Sequence, residues 1–305
     1  MKRNAIVRLC IWTVVSLSLI GLFIGWMTGS ADIQLPILSL GVTNYQYKNA
    51  DRYTSGNTEI AEQVRSIDVI WISGSVTVVP WEGDTVRIRE GEDITDPELQ
   101  LHWYLENDRL HIQYCASKRF QTNLPSKDLM IELPGNVATS LSSIEIESVS
   151  ASVELRGLCV RDLKMESVSG GFTLAEVMVT DAELDTVSGR INATGLNSTR
   201  IDVETTSGSV RLDGRIGSGS VETGSGDATL TSSTTFEALD LETVSGSFTL
   251  VCPLGEGYRV AFHSVSGRME SEIHHTKSGN NYSFGSGKHA YTFESVSGDL
   301  LIKEP

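Results

Sequence analysis

The phrase that most constrains this chain is "SVSG", which with close variants returns along its second half at a nearly fixed interval. Aligned on the serine before the glycine, the copies fall at Ser150, Ser169, Ser188, Ser207, Ser225, Ser245, Ser266 and Ser297, with intervals of 19, 19, 19, 18, 20, 21 and 31. A unit this short cannot bury an apolar face alone, so its copies must stack on one another.

Counting back by twos from that serine produces columns. Two residues before it stands a hydroxyl in every copy, from Ser148 and Ser167 to Ser264 and Ser295, and four before it an apolar residue, from Ile146 to Phe293. Three residues beyond the serine the column reads Val153, Phe172, Ile191, Val210, Ala228, Phe248, Met269 and Leu300. Period two on both sides of a small-residue corner means two strands per repeat, facing a shared interior; the period of 3.6 that a helical repeat needs is absent. The economical solution is an all-β, parallel β-solenoid (β-helix) of about eight to nine coils, with equivalent strands roughly 4.8 Å apart. The glycine after the serine, replaced only in the first copy by Ala151, occupies a corner where a Cβ is costly. Stacked hydroxyls beside it can donate to one another or to backbone carbonyls. On this reading the serines and glycines build the corner and carry no chemistry.

Upstream, "SIDVIWISGSVTVVP", "DTVRIRE", "LQLHWYLE", "RLHIQYC" and "DLMIELP" are strand candidates, so residues 66–140 are expected to form strands and hairpins that open the solenoid of residues 141–305. Residues 28–65 are polar and mixed and read as a juxtamembrane linker. Before them, the uncharged stretch Leu9–Met27 has nineteen residues, enough for a transmembrane helix across a hydrocarbon core of roughly 30 Å. The basic tail of residues 1–8, with Lys2, Arg3 and Arg8, is expected to stay cytoplasmic, which places the rest outside a cell membrane crossed once. A cleaved signal peptide ending near "GSA" is the competing reading, although the apolar stretch is longer than the usual signal core.

Outward positions follow from the same columns. Three residues before the serine lie Glu147, Glu166, Asp185, Glu204, Glu222, Glu242, His263 and Glu294; five before it lie Glu145, Lys164, Glu183, Asp202, Ser220, Asp240, Ala261 and Thr292. This face carries eleven carboxylates against one lysine. Neighbouring charges at strand spacing repel by about 3.5 kcal/mol at an effective dielectric near 20. Splayed side chains, protonation, a basic partner or bridging Ca2+ or Mg2+ held by the ladder Glu147, Glu166, Asp185, Glu204, Glu222 and Glu242 would relieve it. A formal charge of -15 excludes a nucleic-acid partner of the usual kind. Cys115, Cys159 and Cys252 follow the membrane segment in no metal-binding spacing, and one bridge among them is open. No singular acid and base pair stands out from the repeating carboxylates, and no catalytic or cofactor-binding residue is assigned.

These repeats, with the opening strand "IDVIWISGSVTV" and the N-terminal membrane segment, resemble the bacterial putative-adhesin family, domain of unknown function 4097, over roughly Ser66 to Ile302. The resemblance implies a right-handed solenoid and an envelope setting, and brings no activity with it. The expected function is therefore a non-catalytic, membrane-anchored adhesion, interaction or sensing surface, with an unknown envelope protein or glycan as partner. A β-helix enzyme acting on envelope polysaccharide, or a membrane-tethered polymerising scaffold, is the alternative. The scaffold reading rests on the last repeat, "LLIKEP", which leaves little sequence to cap the stack, although Lys303, Glu304 and Pro305 resemble edge protection.

Overall fold

The computed structural model describes residues 42–91, 94–122 and 124–305. The apolar segment 9–27 lies outside them, and among the described residues no helix is long and apolar enough to cross a membrane. The described chain is mostly β-strand, in a largely parallel arrangement.

Each repeat contributes two strands, for example Cys159–Ser167 before the corner and Phe172–Ala175 after it. Equivalent strands pair in parallel, with one register shift between Ala193 and Leu196, and before the corner Ile146 sits beside Met165, then Leu184, Val203, Val221 and Leu241. After the corner, Val153 sits beside Phe172, then Ile191, Val210, Ala228 and Phe248. Both sets are buried and form one continuous core along the stack. Burial of such a set supplies most of the stability, because a single coil has no core of its own.

The corner works as the hydroxyl columns predicted. The Thr205 hydroxyl accepts from the Gly208 amide at 2.9 Å, and Ser167 and Thr186 do the same for Gly170 and Gly189. These hydroxyls also donate, Thr223 to the Gly226 carbonyl at 2.9 Å and Ser148 to the Ser167 hydroxyl of the next coil at 2.9 Å. The corner serines face solvent and donate to a carbonyl one coil back, as Ser169 does to Val149. The glycine requirement comes from close stacking. A Cβ on Gly189 would lie 2.0 Å from the Gly170 carbonyl oxygen, and one on Gly208 would lie 1.9 Å from that of Gly189.

The repeat begins earlier than residue 141. Strands Ser66–Trp71 and Gly74–Trp81 form a coil around Ser73, and strands Arg109–Gln113 and Lys127–Pro134 form another around Ser126. Both ends of the stack depart from sequence order. The Ser126 coil lies outside the Ser73 coil, whose other side receives the Ser150 coil. At the far end, strands His289–Ser295 and Leu300–Lys303 insert between the Ser245 coil and the Ser266 coil. Glycine contacts report the same order, since a Cβ on Gly298 would strike Gly246 and one on Gly267 would strike Gly298. The expectation that the last repeat closes the chain as a barely capped edge is therefore corrected: "LLIK" is an interior strand. The outermost coil is the one before it, and residues 272–288 supply a cap, with Asn281–Gly285 antiparallel to Gly257–Ser264 and Thr276–Ser278 beyond.

The opposite end is capped by antiparallel strands as well. His102–Glu106 and then Thr54–Ser55 cover one edge, and Val86–Glu90 and then Thr58–Ile60 cover the other. Such coverage removes a template for edge-to-edge pairing. Residues 42–65, read from their polarity as linker, belong to this cap, because Tyr45, Ile60 and Val64 are buried among stack residues. At the first corner Lys127 occupies the glycine position, where no further coil stacks. Its buried ammonium bonds the Glu90 carboxylate and the Leu99 carbonyl, each at 2.7 Å. Cys115, Cys159 and Cys252 are free thiols, and burial pushes the first and last up to about 12.

Candidate functional site: a carboxylate ladder along a groove

Because the strands before the corner pair in exact register, the outward columns become vertical rows. Glu147, Glu166, Asp185, Glu204, Glu222 and Glu242 lie side by side on successive coils, followed by Glu294 and finally His263. The six residues expected to form an acidic ladder are thus brought together on one outer face, half-buried. Beside them a second row reads His111, Asp68, Glu145, Lys164, Glu183, Asp202, Ser220 and Asp240.

Sequence reasoning missed the shape of this face. A groove of about 710 Å³ runs along the second row from Arg109 to Thr292. It lies between this row and the outward column two residues earlier, which includes Asp162, Asp181 and Arg200, with the mostly buried column of Leu163, Ala182, Ile201, Gly219 and Leu239 between the two. Carboxylates from Glu145, Glu183, Asp202 and Asp240 line it. Ser220 in a row otherwise mostly charged, next to Gly219, was the available signal, but alternation alone does not say whether a face is flat or concave.

Some of these carboxylates are paired within the chain. The Lys164 ammonium bridges Glu166 at 2.9 Å and Glu183 at 3.3 Å, beside the row Arg200 meets Asp181 at 3.1 Å, and the His111 ring nitrogen lies 2.8 Å from an Asp68 carboxylate oxygen. Burial works against the Lys164 charge, yet its two carboxylate partners hold its pKa above the usual lysine range. The carboxylates respond in the opposite direction. Partial burial, reinforced by the Glu166 and Glu145 charges, pushes Glu147 up to about 8. Burial and the Glu183, Glu204 and Glu166 charges push Asp185 to about 8, and burial with the Glu242 charge pushes Glu222 to about 7. Glu145, Asp202 and Glu204 are raised for the same reasons. At Glu147, Asp185 and Glu222, crowding by like charges in half-buried sites thus favours the protonated carboxyl.

One triad, Glu166, Glu183 and Asp185, places a carboxylate oxygen from each within 4.8 Å of the others. Calcium takes six to eight oxygen ligands and magnesium an octahedron. Two of the three carboxylates already hold Lys164, so a divalent ion would compete with the chain's own ammonium for them. Of the expected metal ligands, Glu166 and Asp185 fall in this triad, joined by Glu183 from the neighbouring row.

Fold and face together define a class: a stack of parallel two-strand coils, closed at both ends, that displays an acidic groove along its side. The chain belongs to the Toastrack DUF4097 family, whose model matches residues 98–303. None of the curated proteins compared with it matches. Among solved structures, it is similar to a "putative lipid binding protein" from Parabacteroides distasonis at 11% identity and TM-score 0.48, covering 83% of this chain and 97% of that one. A "putative adhesin" from Parabacteroides merdae aligns at 11% identity and TM-score 0.43, covering 82% and 96%. A "putative cell adhesion protein" from Clostridium sporogenes aligns at 10% identity and TM-score 0.27, covering 83% and 100%.

Proposed function

We propose that this chain is a non-catalytic cell-envelope protein that holds a rigid, right-handed solenoid outside the membrane on one N-terminal helix and uses its acidic groove as an adhesion surface. The observation that carries the reading is the groove itself. It is continuous over many coils, and its acidic groups repeat at strand spacing. A regular row of carboxylates suits a partner that presents several cations along an extended surface, such as a basic protein segment in the envelope. The coils rise from the end where residues 42–45 enter, so an anchor preceding them would leave the groove facing sideways above the membrane.

The test is capture of envelope components by the full chain in mild detergent, at low and high salt, against a triple variant Asp202→Asn, Glu204→Gln, Glu222→Gln. Salt-sensitive retention of a basic partner that the triple variant loses supports the proposal. Retention unaffected by both salt and the variant, or release of reducing-end or unsaturated sugar from envelope polysaccharide, overturns it.

A further inference from the structure

The segment 289–303 arrives last in the sequence but fills an interior slot. Strand His289–Ser295 pairs with Ala238–Thr243 on one side and Gly257–Ser264 on the other, and Leu300–Lys303 pairs with Phe248–Val251 and Met269–Ser271. Tyr291, Phe293, Leu300 and Ile302 of this segment are buried in the core. The slot therefore cannot stand empty in water, and what fills it best is this same sequence.

A short hinge joins the segment to the rest of the chain. Between strands Asn281–Gly285 and His289–Ser295 lie only Ser286, Gly287 and Lys288, which cross the start of the outermost coil. Gly285 at φ 57 and Gly287 at φ 70 make the reversal, and the Ser286 hydroxyl and Lys288 ammonium fasten it to Glu256. The coil outside the slot is the most weakly held of the repeats: its Phe262 and Met269 are half-buried where their counterparts in other coils are buried, and Val265 is 61% exposed. A buried terminal segment, a tight hinge and a loosely held outer neighbour are the conditions under which two copies trade identical elements at little cost in contacts. The slot also lies at the end of the stack away from strand Val42–Tyr45, so two joined copies extend in opposite directions.

We propose that two copies of this chain exchange residues 289–303, each segment filling the slot between the Ser245 and Ser266 coils of the other. The inference is independent of the acidic groove. Thr249 and Leu301 are direct partners across the Phe248–Val251 and Leu300–Lys303 ladder, which supplies the test. Full chains carrying Thr249→Cys alone and Leu301→Cys alone, in a Cys10→Ser, Cys159→Ser background, are mixed in mild detergent with sub-denaturing urea, returned to buffer and oxidised. The expected result is a disulfide joining one chain of each kind, with a dimer by light scattering. A flexible Gly/Ser insertion after Gly287 lengthens the hinge and should lower the dimer fraction several-fold. The chain carrying both cysteines, oxidised at high dilution before any urea step, should close on itself and stay monomeric, which verifies that the substitutions allow folding. If the mixed disulfide never forms while the double-cysteine chain does close, or if a dimer persists unchanged with the lengthened hinge, the proposal is wrong.

Discussion

Asp185→Asn should stabilise this protein in alkaline buffer and have little effect in acid. Asp185 stands between Glu166 and Glu204 in one row and beside Glu183 in the next, and its carboxyl is held at about 8, first by burial and then by these charges. In the unfolded chain the same carboxyl titrates near 3.9. Between those values the folded state holds a proton that the unfolded state releases, so stability is full below about pH 4 and falls as pH rises toward 8. Taken alone, the span between the two pKa values would correspond to roughly 6 kcal/mol. Screening brings the real figure well below this: the charges of Glu166, Glu183 and Glu204 act across strand spacing only through salt and past Lys164. Glu183 is half exposed and Lys164 sits on two of the three neighbours, which weakens the repulsion further. The gain for Asn at pH 9 should thus be about 2 kcal/mol, shrinking below about 1 kcal/mol at pH 5. Urea unfolding of the two proteins at pH 5, 7 and 9 measures it. A difference that stays constant with pH, or wild-type stability that climbs between pH 5 and pH 9, would refute the account of the ladder as a proton-holding row.

Gly189→Ala forces a Cβ to within 2.0 Å of the Gly170 carbonyl and should cost about 3 kcal/mol in thermal or urea unfolding, whereas Gly135→Ala, with open space around it, should be nearly neutral. Thr205→Val keeps the shape of the corner but strands the buried Gly208 amide, for an expected loss of about 1–3 kcal/mol that Thr205→Ser should largely restore. Lys127→Met leaves Glu90, only 4% exposed at its side chain, without its cation; the expected loss is about 3–5 kcal/mol by urea unfolding.

The fold was legible where the sequence repeats and obscure where it does not. Period-two apolar columns at Ile146, Met165 and Leu184 specify strands, shared corners specify stacking, and the hydroxyl at Thr205 or Thr223 explains why a polar residue recurs in a buried position. The acidic row followed from the same register. The Ser73 coil also fits the template, through "WISGSV", but the Ser126 coil carries lysine where the others carry glycine and so escapes a search on the motif. Depth was not legible: the groove lies between two outward columns, the one with Glu145 and Asp202 and the one with Asp181 and Arg200, and alternation does not encode how far such side chains stand from the strands. Spatial order at the ends was hidden as well, because copies that share one motif are interchangeable as neighbours.

The exceptions in the columns nevertheless mark those ends, and they do so for physical reasons. A glycine is needed only where the carbonyl of another coil presses on the corner, so the coil with no such neighbour can carry Lys127 there and use its side chain to close the core. A row of like charges has its least crowded member at its terminus, and it is at the outermost coil that His263 replaces the carboxylate, beside Glu294. The same coil has its valine, Val265, exposed where the equivalent valines of interior coils are half-buried. In sequence, His263 and Val265 sit in the next-to-last repeat, while the last repeat has the glutamate, the glycine and the buried aromatic of an interior one. Lys127, His263 and Val265 thus break their columns at the two ends of the stack, where one neighbour is missing, although Ala151 shows that an interior corner can also lose its glycine.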